Sequence, residues 1–176
     1  MVTEQSKTLG VLQTAIQMEI DGKGYYLKIS QESSNKMGKE LLQALAAAED
    51  LHRLKFTEIY NAIRNKKSWP VVTLPPDRGK RLKTVFATAT AELDTKPETL
   101  NSELDALQKA MDMENKTYDF YRNQEGKASH DVERTFYQSL AAEERQHHQV
   151  LLDYFEYLKN PAGWFVNKER HSLDGG

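Results

Sequence analysis

Apolar residues along this chain recur at multiples of the helical period. Between about residues 8 and 31 they fall at Leu12, Ile16, Tyr26 and Ile29, which line one face of a helix. Gly22 and Gly24 weaken that helix by about 1 kcal/mol each relative to Ala, and such glycines often admit a neighbouring backbone or a bulky ring. A second helix is predicted from about Met37 to Asn65, with Leu41, Leu45, Phe56 and Ile59 on one face. The stretch KKSWPVVTLPPDRG then breaks the period, and a shorter amphipathic run carries Leu82, Val85, Phe86, Ala89 and Leu93. Pro97, in DTKPETL, stands where helices prefer to begin, and a third helix is expected from there to about Gln124, ended by Gly126. Ser129 or Asp131 caps a fourth, which reaches about Leu158 before Asn160 and Pro161 stop it. Helices of about 25–30 residues are about 40 Å long. The pattern predicts an all-α four-helix bundle over residues 1–160. One long crossover, about 67–97, joins helices 2 and 3, and residues 161–176 form a tail on or beyond the bundle.

The chain also repeats itself. LQTAIQME at 12–19 returns as LQKAMDME at 107–114, and LAAAEDLH at 45–52 returns as LAAEERQH at 140–147. The shift is 95 residues in both cases, so Glu19 corresponds to Glu114, Glu49 to Glu144 and His52 to His147. Each half is a helical hairpin with a Glu placed 30 residues before a Glu-x-x-His.

Residues three apart on a helix share a face, so Glu49 and His52 point together, as do Glu144 and His147. That face is apolar. Leu45, Glu49, His52 and Phe56 form one seam, and Leu140, Glu144, His147 and Leu151 form its partner. Glu19 sits among Leu12, Ile16 and Tyr26, and Glu114 among Leu107, Met111, Tyr118 and Tyr121. Four carboxylates driven into a core repel one another and lose their hydration. Two divalent cations neutralise them, and oxygen and imidazole donors suit iron, manganese or zinc. Two lone Glu and two Glu-x-x-His are the donor set of the carboxylate di-metal site of ferritin-like bundles. One Glu-x-x-His arises by chance about once in such a chain, but two in register inside apolar seams do not.

Composition narrows the chemistry. The chain has no Cys, which excludes thiolate metal sites, a Cys nucleophile and iron–sulfur or rubredoxin-type centres within these 176 residues. A formal charge of −2 speaks against nucleic acid or an anionic membrane as the main partner. No apolar run is long enough to span a bilayer, and MVTEQSKTLG lacks the apolar core of a secretion signal, so the cytoplasm is expected.

These residues resemble the rubrerythrin-type di-iron domain of the ferritin-like superfamily. LAAEERQHHQVLLDYF is similar to that family's fourth helix, MEIDGKGYY to its first, and PAGWFVNKERHSLDGG to the tail of stand-alone members. The resemblance covers nearly the whole chain. It implies two iron ions bridged by Glu49 and Glu144, with Glu19 and His52 completing one metal and Glu114 and His147 the other. It also implies reaction of the reduced pair with peroxide or dioxygen. Two departures stand out. Rubrerythrins proper carry an iron–thiolate electron-transfer domain, so here an external redox partner protein is required. They also place a further Glu one turn after the third-helix ligand, where this chain has Thr117, and Gly22 in the repeat. A homodimer is expected, and so long a crossover would allow hairpins to be exchanged between two chains. Iron handling without turnover, and a bundle merely stabilised by zinc, are the alternative functions.

Other residues have plainer readings. Glu143 and His148 flank the predicted ligands, but correspond to Ala48 and Arg53, which favours solvated or supporting roles. Tyr25, Tyr26, Tyr118 and Tyr121 are core residues, some in reach of ligand carboxylates. Asp21, Asp112, His130 and His171 are expected at the surface. The basic run Arg78, Lys80, Arg81 and Lys83 reads as a solvated face.

Overall fold

A computed structural model describes residues 4–74 and 101–164. Four long helices make up almost all of it: α1 Glu4–Glu32, α2 Lys36–Arg64, α3 Asn101–Lys127 and α4 Asp131–Lys159. Helix α1 packs along α2 and α3 along α4, giving two hairpins that meet α1 against α3 and α2 against α4. The four-helix bundle and its hairpin repeat are as the apolar period predicts. The expected amphipathic run at 82–93, the Pro97 helix start, the basic run at 78–83 and His171 lie outside the described residues. Among the described residues no helix is long and apolar enough to cross a membrane.

Helix α2 lies where the sequence reading puts it, and two other helix ends depart from that reading. Helix α2 is capped by Asn35, whose side chain accepts from the Gly38 amide at 2.9 Å. Gly126 does not end α3; it lies inside the final turn, which runs to Lys127. Helix α4 is capped neither by Ser129 nor by Asp131. His130 holds the extended cap position without a side-chain hydrogen bond, and Glu133 reaches back to accept from the Ser129 amide at 3.2 Å. That carboxylate satisfies an amide just ahead of the helix, not one of the first-turn amides that a capping hydroxyl would serve. At the other end of α4, Asn160 accepts from Gly163 N at 3.0 Å, and buried Trp164 meets Tyr157 edge-on.

The bundle core is split along its length. One apolar cluster includes Tyr26, Leu45, Leu107, Met111, Leu151 and Tyr154. The other includes Leu12, Phe56, Trp69, Tyr121, Tyr137 and Leu140. Every helix contributes to both, and the stretch between its two contributions carries the glutamates and histidines of the repeat. A polar layer is thereby sealed above and below by packed side chains.

A second polar knot holds the hairpins together at the α1–α2 turn. Glu103, buried at the start of α3, accepts from Ser33 Oγ (2.7 Å), Ser34 Oγ (2.6 Å), Ser34 N (3.2 Å) and Tyr154 Oη (2.9 Å). Any Cβ on Gly38 would overlap Tyr154 and Ser33, so the turn requires glycine there. Nothing in the repeat announces this knot, because the residue corresponding to Glu103 is Thr8.

Candidate metal centre

The polar layer brings together Glu19 from α1, Glu49 and His52 from α2, Glu114 from α3, and Glu144 and His147 from α4. All six are buried, none more than 4% exposed. They form two overlapping groups whose donor atoms lie within 4.8 Å of one another: Glu19, Glu49, His52 and Glu144, and Glu49, Glu114, Glu144 and His147. Glu49 and Glu144 belong to both.

The geometry follows the repeat. His52 Nδ1 stands 3.4 Å from Glu19 Oε2, 3.3 Å from Glu144 Oε1 and 4.0 Å from Glu49 Oε2. His147 Nδ1 stands 3.7 Å from Glu114 Oε2, 3.0 Å from Glu49 Oε1 and 3.4 Å from Glu144 Oε2. Each imidazole thus faces its own helix's Glu, the opposite helix's Glu and one lone Glu. Glu49 and Glu144 each turn one oxygen to either imidazole. The two rings stack with centroids 5.6 Å apart and planes 13° from parallel.

These groups do not satisfy one another. Buried side-chain atoms without a hydrogen-bond partner include Glu19 Oε2, Glu49 Oε1, His52 Nδ1, Glu114 Oε2, both oxygens of Glu144 and His147 Nδ1. The separations are short enough for attraction between charges, yet the directions are wrong for hydrogen bonds. Orphaned buried polar atoms are rare in folded proteins, and seven converging on one layer call for a shared cation. The donor set and its convergence fit a pair of divalent metals.

The electrostatics agree. Burial, and then the charge of Glu144, push the carboxyls of Glu49 and Glu114 upward, Glu114 to about 8. Burial opposes protonation of His52 and His147, but the surrounding carboxylates outweigh it and raise both imidazoles well above their ordinary value. Burial also disfavours ionised Glu144, yet the two imidazoles hold it below the usual carboxylate range. Without metal, the cluster can carry its negative charge only by gathering protons.

Around the donors, the two lone glutamates are held crosswise. Tyr26 Oη donates to Glu114 Oε1, and Tyr121 Oη donates to Glu19 Oε1. Tyr26 and Tyr121 are themselves 95 residues apart, so the repeat includes these supports. Burial pushes both phenols well above their ordinary range, which keeps them donors. Each tyrosine occupies one carboxylate oxygen and leaves the other, Oε2, facing the layer. Tyr25 and Tyr118 do not join in: Tyr25 donates to the Ala106 carbonyl at 2.9 Å, and Tyr118 lies beneath Arg145. Glu143 reaches His52 Nε2 at 2.8 Å, whereas His148 belongs to neither donor group. Gly22 lies beside Glu49, where a Cβ would make ordinary contact at 3.5 Å; it admits a carboxylate, not a backbone or a ring. Gly24 has open space. Asp21 and Asp112 are exposed.

An all-helical bundle with a buried Glu/His layer of this composition defines a ferritin-like protein with a metal site. The Rubrerythrin family model matches residues 10–155, a span that takes in all six donors, and the chain belongs to that family. Comparison with curated proteins and with solved structures found no match.

Proposed function

We propose that this chain is a di-iron oxidoreductase that reduces hydrogen peroxide or dioxygen with electrons from a separate donor protein. The observation that carries this reading is the pair of overlapping donor groups sharing Glu49 and Glu144. In this role Glu49 and Glu144 would serve both metals, Glu19 and His52 would hold one, and Glu114 and His147 the other. When bound, the metal pair supplies two electrons at one place. Peroxide consumes two electrons and two protons and leaves as two waters, so an external reductant must restore the centre. These 176 residues contain no Cys, so an iron–thiolate donor would lie outside them. The chain's own residues fix the donors and exclude bulk water. Tyr26 and Tyr121 hold the lone glutamates, and the two apolar clusters close the layer on either side.

Iron handling is the second reading, and Thr117 is the observation that favours it. Its hydroxyl donates to its own helix at Met113 O (3.1 Å), and the corresponding residue in the first half is Gly22. Neither half therefore offers the extra carboxylate that rubrerythrins place there, which favours a static site.

One experiment separates these readings. The Fe(II)-loaded protein is mixed anaerobically with peroxide, and separately with dioxygen, and followed by absorbance with and without added reductant. Repeated turnover with reductant is expected. A single oxidation followed by iron release or accumulation would replace oxidoreductase by iron handling. Spectroscopic silence with tightly held zinc would leave a structural metal.

A further inference from the structure

The two halves of the donor layer match, but their outer surroundings do not. His52 presents Nδ1 to the cluster and Nε2 to Glu143 Oε2 at 2.8 Å. The contact crosses from α2 to α4 and joins the two hairpins. The residue corresponding to Glu143 in the first hairpin is Ala48, so His147 has no carboxylate placed for it by the repeat. Glu143 also lines a groove of about 750 Å³ between residues 71–74 and α4, together with Phe136, Ser139 and Gln146. His52 is fully buried while the Glu143 side chain is 19% exposed, so Glu143 touches both this imidazole and the groove.

A carboxylate on the outer nitrogen of a metal-bound imidazole fixes its tautomer and orientation and raises its basicity, and losing one costs about 10- to 100-fold in metal affinity. The geometry points to Glu143 as a positioning residue that makes the two metal positions inequivalent, the Glu19–His52 position being the tighter. Glu143 does not touch the metal. It directs Nδ1 inward by accepting the Nε2 proton, and among the described residues no carboxylate does the same for His147. The inference rests on the two-metal reading above.

The test is an anaerobic calorimetric titration of the metal-free full-length chain with Co(II). Two unequal binding steps are expected. Glu143→Ala should weaken the tighter step about 10- to 100-fold and leave the other unchanged. Glu143→Gln keeps an acceptor oxygen in place and should recover most of that loss. In a His52→Ala background, Glu143→Ala should cost nothing more, because the two act through one contact. Ala48→Glu should strengthen the weaker step by giving His147 an equivalent acceptor. A Glu143→Ala titration identical to the unmodified chain, or one in which both steps fall equally, would overturn the inference. So would an additive loss on top of His52→Ala, or an Ala48→Glu variant with no change. If the unmodified chain takes up no pair of ions, the two-metal reading itself fails. If it takes up two ions and only the Glu143 variants behave otherwise than expected, the positioning role alone falls.

Discussion

The first and second hairpins deliver the same three donors to the same layer but surround them differently. In both, a tyrosine from the opposite hairpin holds the lone glutamate: Tyr121 holds Glu19, and Tyr26 holds Glu114. Outside that shared frame the hairpins diverge. The first has Gly22 and Ala48 where the second has Thr117 and Glu143. The donors are constrained jointly, because removing any one leaves buried charge unbalanced. Gly22, Ala48, Thr117 and Glu143 carry no such constraint, so the repeat is faithful at the Glu/His layer and its two tyrosine supports and loose at these flanking positions.

The largest effect should fall on the shared carboxylates. Glu49→Ala and Glu144→Ala are each expected to abolish binding of both metals, whereas His52→Ala and His147→Ala should each weaken mainly one. Metal content per chain measures this. A bridging variant that retained both ions would break the assignment of Glu49 and Glu144 as shared ligands.

Stripping the metals comes next. The apo chain confines four carboxylates with only two imidazoles, and loss of a native-state ligand lowers stability by mass action. With free metal 100- to 1,000-fold above its Kd, each site should contribute about 3–4 kcal/mol. Calorimetric melting before and after chelation, with recovery on adding metal back, checks it. Equal melting temperatures would show that the buried layer does not bind ions in the folded state.

The tyrosine pair tests symmetry directly. Tyr26→Phe and Tyr121→Phe each free one oxygen of a lone glutamate and should reduce affinity for the adjacent metal about 10- to 100-fold. The two fold-losses should agree, since the contacts are equivalent. A large loss from one and none from the other would place the asymmetry inside the tyrosine frame as well as outside it.

A smaller change is expected at the divergent positions. Thr117→Glu points a carboxylate along the Glu114 face one turn on. It should raise the rate with peroxide relative to that with dioxygen, measured by stopped flow, and an unchanged ratio would show that Thr117 does not limit the reaction. Gly22→Ala should do least. The added Cβ makes only ordinary contact with Glu49, and Ala is the better helix former, so unfolding should become harder by up to about 1 kcal/mol. Denaturant titration measures this, and a loss of stability would mean that Glu49 needs the space.

Much of this was legible along the chain because periodicity and repetition are one-dimensional signals. The 3.6-residue period located four helices, and the 95-residue shift picked out Glu19, Glu49, His52, Glu114, Glu144 and His147 without any fold. Helix ends were read less well. Gly126 looked like a stop, yet α3 runs on to Lys127. Neither Ser129 nor Asp131 caps α4; His130 holds that position, and Glu133 accepts from the Ser129 amide ahead of it.

The sequence by itself determined the bundle, its duplication and the six donors, because each is written as spacing on a single helix. Only tertiary structure decided which oxygen of each carboxylate faces which imidazole, and that the tyrosine supports cross between hairpins. The same holds for Glu143, whose repeat mate Ala48 favoured a solvated or supporting role and which only the fold places against His52 on another helix. Glu103 is the clearest case. It looks like a first-turn acidic residue of α3, but it is buried and tied to Ser33, Ser34 and Tyr154. Contacts between helices depend on rotation, register and rotamer together, and no interval along the chain encodes their product.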